Sequence, residues 1–158
     1  MIQMSSSDSY FANGFLIIPK LFSQNKCQEL AQFVDCSSGV GAGSRKLLEN
    51  TTIYNLAIDL IAREPLSELL KLSNAPISCT LFDKTIDRNW HVPFHCDEYI
   101  QFESPVISSR YTDWTVKEGV NCAKADWDIL QKLVAVRLSL DDNNLENGPL
   151  RLIPGSHV

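Results

Sequence analysis

The apolar residues of this chain change their spacing once, near residue 76, and that change limits the folds open to it. Upstream they recur at helical intervals. Cys27, Leu30, Ala31 and Val34 fall at i, i+3, i+4 and i+7, the stripe of an amphipathic helix. Ser23 stands where an N-cap belongs, so a helix is expected over 24–35. Ile53, Leu56, Ala57 and Leu60 share one face of a second helix over 51–63, and Pro65 suits the first turn of a short helix over 65–72. Downstream the pattern alternates. ISCTLF (77–82), HVPFHCDEYIQF (91–102), LVAVRLSL (133–140) and PLRLI (149–153) read as strands. In 133–140 one face, Val134, Val136, Leu138 and Leu140, is wholly apolar and the other mixed, which suits a sheet packed on a core through one side. One further strand is expected early, at GFLII (14–18), where Pro19 ends it. Helices first and strands after imply an α+β fold or a mostly β barrel with a helical flank.

The rest of the sequence narrows the function classes. The chain has 158 residues, so a single domain is expected. Its net charge is −5, its pI is about 5.1 and no basic run occurs, so neither nucleic acid nor an anionic membrane surface is an expected partner. Apolar runs such as FLII and LVAV are too short to span a bilayer. The opening MIQMSSSDSY has neither the basic nor the apolar region of a signal peptide. Five cysteines, an odd number with no C-x-x-C pair, argue against a disulfide framework or a zinc finger. Reduced thiols in the cytoplasm are expected instead. The loop GVGAGSR (39–45) lacks the GK[ST] ending of a phosphate loop. DDNNLENG (141–148) is a turn by composition.

The chemistry gathers in NWHVPFHCDEYI (89–100). Residues two apart on a strand face the same way, about 6.6 Å apart along the axis. His95 and Asp97 therefore project together, and modest bending lets their tips meet on one ion. A neutral imidazole beside a carboxylate suits Fe(II), and a set of two histidines and one carboxylate leaves coordination positions open. A His-x-Asp is also the ordinary spacing of a hydrogen-bonded pair with no metal. His91 lies six residues from Asp97, roughly 20 Å along an extended strand, too far to share that ion. A third ligand is expected from another strand, and the one remaining histidine is His157. Cys96 points away from its neighbours and is expected to be a small buried hydrophobe.

Several longer stretches carry a resemblance. NGFLIIPKLFSQNKCQEL near the start, LFDKT (81–85), NWHVPFHCD (89–97), DWTVKEGV (113–120) and VRLSLDDNNLENGPLRLIPGSH (136–157) occur in this order. The set resembles the phytanoyl-CoA dioxygenase family of Fe(II)- and 2-oxoglutarate-dependent oxygenases, from about residue 10 to the last. The resemblance implies a double-stranded β-helix, a cupin-like jelly roll, with a helical flank at about 20–75 and barrel strands from about 77. It implies Fe(II) as cofactor, 2-oxoglutarate as co-substrate, and O2 and a small organic molecule as substrates. His95 and Asp97 match the first two positions of the family's metal motif. Trp114 matches a tryptophan near the co-substrate. Arg45, in GAGSRKLL, and Lys84, in FDK, match further elements of the cofactor pocket. Asn147-Gly148-Pro149 and Pro154-Gly155-Ser156-His157 match turns, and His157 is there a local hydrogen-bonding residue rather than the distal ligand. Phe94 stands where the family has Trp, and Cys96 where it has Gln. Asp97 favours hydroxylation over halogenation, which needs a small residue there. The loop Glu103–Tyr111 is a candidate lid, with a plain surface connection as the simpler account.

In the family the distal histidine, and the basic residue that grips the 2-oxoglutarate carboxylate, lie several tens of residues beyond PGSH. Neither position exists in this sequence. One expectation is therefore that residues 1–158 form the N-terminal portion of a jelly roll, incomplete at the C-terminus, within an intact oxygenase. The other is a truncated, non-catalytic homologue that serves as a binding or interaction protein or is a decayed gene product. Unpaired strand edges leave self-association open in either case.

Overall fold

A computed structural model of the chain describes residues 6–37, 43–70, 75–84, 87 and 89–157. The helical half lies close to its expected place. Helix α1 (Ser6–Asn13) was not signalled by any apolar stripe. Helix α2 (Gln24–Ser37) begins after Ser23, whose Oγ accepts from the Lys26 amide at 3.3 Å, so the expected cap is in place. Helix α3 (Thr51–Ile61) is capped by Asn50, whose Oδ1 accepts from the amides of Thr52 at 2.9 Å and Ile53 at 3.4 Å. It ends two residues short of the expected 63. Helix α4 is a single turn, Leu66–Leu69, directly after Pro65. The expected extension to 72 falls partly outside the described residues. Ser7 donates to Glu68 Oε1 at 2.6 Å and ties α1 to α4.

These helices enclose the first core. Val34 of α2, Leu47 of a 3-10 turn (Leu47–Glu49) and Ile53 of α3 are buried together. Phe33, Leu48, Cys79, Leu81 and Leu140 pack around them. Strand β1 (Gly43–Ser44) pairs with β2 (Leu81–Phe82), and Lys46 bridges Cys79 beside them. Only the end of the expected 77–82 strand is therefore paired, and the helical core lies against it.

The second core rests on an antiparallel sheet of β3 (Tyr99–Phe102), β4 (Tyr111–Lys117) and β5 (Val120–Ala125), in the order β3-β5-β4. The last two strands were not expected. They are joined by a two-residue turn, Glu118-Gly119, with φ of 54° and 76°. Positive φ at both positions is the turn whose twist matches a hairpin. Paired residues share a face, so the register places Ile100, Phe102, Tyr111, Val116, Ala123 and Ala125 on one side. Tyr99, Gln101, Thr112, Thr115, Lys117 and Lys124 take the other. Ala123 is fully buried, and its small side chain lets the Phe102 ring cross β5. That ring meets Tyr111 edge-on and Trp114 at a tilt, each at 4.8 Å between centroids.

A bulge precedes Trp114 on this face. The register shifts between Thr112 and Thr115, so Asp113 and Trp114 together oppose Ala123. Asp113 takes φ of 49°, a conformation that Asp tolerates better than most residues. Asp113 is the surplus residue, and Trp114 keeps the face that its neighbour Thr115 dictates by alternation.

Four strand expectations are corrected. Residues 15–18 form no strand, and lead into a turn at Lys20 with φ of 57°. Of 91–102 only the last four residues pair. Pro93 has no N–H to donate to a ladder there. Segments 133–140 and 149–153 have no ladder partners among the described residues. Alternation suits the two faces of a strand, but pairing needs a neighbour about 4.8 Å away. A short helix, α5 (Trp127–Leu130), precedes the first of them. What stands is helices with small antiparallel sheets, an α+β arrangement, and no closed jelly roll is formed among the described residues.

The hairpin turn gives a clean test of backbone strain. A Cβ on Gly119 would meet nothing nearer than Lys46 Nζ at 3.6 Å, an ordinary contact. Gly119→Ala therefore acts through φ alone and is expected to cost about 1–2 kcal/mol, read as a lower midpoint in urea unfolding. An unchanged midpoint would remove the positive-φ turn.

Candidate functional site

The segment 89–97 runs between β2 and β3 with no ladder of its own and bends at Phe94. Pro93 has no N–H to donate, and side chains help to set the local geometry. His95 and Asp97 do come together, with Nε2 and Oδ1 3.3 Å apart. Their side chains are 53% and 93% exposed, so an ion or a small molecule meets no barrier on the open side.

The other ring nitrogen decides what Nε2 offers. His95 Nδ1 lies 2.9 Å from the Pro93 carbonyl oxygen. A carbonyl only accepts, so Nδ1 carries the proton and donates it. In the neutral ring Nε2 is then a bare lone pair, facing a carboxylate oxygen. Two acceptors this close repel unless a proton or a cation lies between them. The proton alternative is visible in the acidity. The His95 pKa is raised, first by the Pro93 carbonyl; desolvation opposes this, and the charge and hydrogen bonding of Asp97 add to the rise.

The cation alternative fits as well. Metal–nitrogen and metal–oxygen bonds of about 2.1 Å at a right angle separate their donor atoms by about 3.0 Å. The observed spacing is close to that. A histidine that holds a metal through one nitrogen commonly donates the other N–H to a carbonyl, which fixes the ring. Pro93 plays that part for His95.

The remaining expected residues are placed as follows. Lys84 donates to the Trp90 carbonyl at 2.9 Å and stands 4.4 Å over the Trp90 ring. It is thus attached to the segment that bears His95. Arg45 pairs through Nε with Glu118 at 3.2 Å, at the β4–β5 turn. Trp114 packs on Phe102 of β3. The contacts of Arg45 and Trp114 thus join them to the sheet and its turn rather than to His95 or Asp97. His157 donates from Nε2 to the Phe11 carbonyl at 2.9 Å. Its Nδ1 lies so close to Gly14 that a Cβ there would fall 2.4 Å away. These contacts join His157 to the end of α1 rather than to His95 or Asp97. His91 is exposed. Cys96 is exposed too, not buried as expected, because no sheet forms around it to cover its face. Residues 103–110 connect β3 to β4, and Ile107 on this loop is fully exposed. Among the described residues no three His, Cys, Asp or Glu side chains stand together as a metal set. No described helix is long and apolar enough to cross a membrane.

Sequence reasoning passed over the partners of the 146–151 stretch. Asn89 Nδ2 donates to the Glu146 carbonyl at 2.8 Å, and the Arg151 guanidinium lies 5.0 Å over the Phe94 ring. The signal available was the polar and cationic residues flanking NGP, read only as a turn.

Comparison with known families decides the relationship. The family model for phytanoyl-CoA dioxygenase, PhyH, matches residues 10–158. The chain belongs to the phytanoyl-CoA dioxygenase family. Members of the family are in general Fe(II)- and 2-oxoglutarate-dependent. No curated protein and no solved structure matches the chain.

For this family member, Asp97→Asn removes one of the two groups that raise the His95 pKa. His95 is expected to titrate at a lower pH, while the Pro93 bond keeps it above the ordinary histidine value. Imidazole NMR shifts followed against pH read this directly. An unmoved titration would mean that the two side chains do not meet.

Proposed function

We propose that this chain provides two metal ligands, His95 Nε2 and Asp97 Oδ1, of an Fe(II)- and 2-oxoglutarate-dependent dioxygenase that hydroxylates a small organic substrate. The observation that carries the reading is the lone pair of Nε2 held against the Asp97 carboxylate by the proton that Nδ1 gives to Pro93. Family membership supplies the cofactor class. When bound, iron with 2-oxoglutarate supplies an O2-dependent oxidation: 2-oxoglutarate becomes succinate and CO2 while a C–H bond of the substrate becomes C–OH.

The protein's own residues do the positioning. His95 and Asp97 hold and orient, and neither acts as a general acid or base. Trp114, with Phe102 and Tyr111, provides an apolar wall that excludes water. Arg45 and Lys84 are cations suited to a dicarboxylate co-substrate. The jelly roll that the family implies, a single domain over 1–158 and a cytoplasmic setting belong to the same reading. The third ligand comes from outside the described residues.

A second reading is favoured by one observation. Only two donor side chains meet among the described residues. A non-catalytic homologue that binds a small molecule or a partner needs no more. The two readings separate in one assay. With Fe(II), 2-oxoglutarate and O2 the dioxygenase releases succinate. His95→Ala or Asp97→Ala is expected to lower that release by more than about 100-fold, since changing outer partners alone costs about 10–100-fold. Release that survives both substitutions would sink the ligand assignment. No iron-dependent release from the native protein would favour the binding role.

A further inference from the structure

The His95–Asp97 pair stands on a segment without a ladder of its own. Downstream, the Glu98 carbonyl accepts from the Ala125 amide at 3.0 Å and its side chain pairs with Lys124 at 2.9 Å, which joins that end to the sheet. Upstream, three side chains hold it. Lys84 donates to the Trp90 carbonyl at 2.9 Å and covers the Trp90 ring at 4.4 Å. Asn89 donates to the Glu146 carbonyl at 2.8 Å. Arg151 lies over the ring of Phe94, the residue next to His95, at 5.0 Å.

The segment that receives these contacts is itself locked. Asn147 Oδ1 accepts from the Asn144 amide at 2.8 Å, and Asn147 Nδ2 donates to the Asp142 carbonyl at 2.7 Å. Asn144 Oδ1 accepts from the Glu146 amide at 2.8 Å, and Arg137 donates to Asn143 Oδ1 at 2.8 Å. Side-chain amides here replace the backbone ladder that 133–153 lacks. Gly148 faces these side chains. Its φ is 68°, and a Cβ there would fall 2.8 Å from Asn89 Oδ1 and 3.0 Å from Lys84 Nζ. Any other residue is strained at that φ and has to displace the ends of both side chains.

We infer that Lys84, Asn89, Gly148 and Arg151 are positioning residues that clamp 89–94 onto 146–151 and thereby hold His95 in the ring tautomer that presents Nε2 beside Asp97. The contacts that set the pair itself are those of His95 with Pro93 and with Asp97, and none of the four takes part in them. They act through the backbone between Trp90 and His95, whose Pro93 carbonyl must face Nδ1. The inference rests on the reading of His95 as a ligand, but its test needs no metal.

The measurement is the tautomer ratio of the neutral His95 ring, from imidazole nitrogen-15 shifts of the metal-free protein. The native chain is expected to hold the Nδ1–H form in excess. Lys84→Met and Arg151→Leu are each expected to shift the ratio toward Nε2–H by about fivefold, the factor of one net hydrogen bond. Lys84→Arg and Arg151→Lys keep a cation over the same ring and are expected to restore it. A merely structural role would lower the melting temperature in all four variants without this split. If Lys84→Met does not fold, the exposed Arg151 pair decides alone. Unchanged tautomer ratios in folded Arg151→Leu, or a native ring without excess Nδ1–H, would overturn the clamp. Cobalt(II) titration of the native protein tests the ligand reading separately. Absence of binding there would sink that reading and leave the tautomer result to stand or fall by itself.

Discussion

An extended backbone needs a neighbour at ladder distance, and where this chain finds one determines how each region is held. Strand β5 has a partner on both sides, so β3, β5 and β4 form a sheet with an apolar face. The segment 89–97 and the stretches 133–140 and 149–153 form no ladder among the described residues. Buried backbone polar groups require partners, but these stretches lie at the surface, where water meets that need. Their conformation is then set by side chains. Carboxamides of Asn143, Asn144 and Asn147 fold the turn, and Lys84, Asn89 and Arg151 join it to the His95 segment.

This division puts the candidate ligands in an unusual mechanical setting. A ligand pair on a central strand inherits its geometry from the ladder. His95 and Asp97 inherit theirs from a proline carbonyl, a few cation and amide contacts and, on the Asp97 side, the bond of the Glu98 carbonyl to β5. The pair is open to solvent, so its charges are screened, and the ring's orientation counts for more than the Coulomb attraction. That is why the Pro93 bond comes first among the causes of the raised His95 pKa, ahead of Asp97.

Much of this was legible in the sequence. Ser23 and the Cys27–Val34 stripe locate α2 to within two residues, and Ile53 is the buried residue of α3 as its stripe implies. The two-residue spacing of His95 and Asp97 correctly brings their tips together. The hairpin β4–β5 was missed for a physical reason. Alternation is broken at Asp113, so no unbroken period of two runs through 111–117, although the Glu118-Gly119 turn was there to be read. The opposite error occurred at 133–140. Its alternation is regular, but a period describes one strand's faces and carries no information about its neighbour. Residue-by-residue likeness to the family located Lys84 and Gly148, but not that they touch.

The bulge in β4 has a further meaning for how this strand tolerates change in length. Thr112 and Thr115 already lie in correct register with Lys124 and Cys122 on either side of the surplus residue. Losing Asp113 would turn the bulge into a regular strand and leave Trp114 on the apolar face. A deletion between Thr115 and Lys117 would instead invert every side chain up to the hairpin turn. The strand therefore has one position where its residue count is free to vary by one, and that position stands directly beside the tryptophan without setting which way it faces.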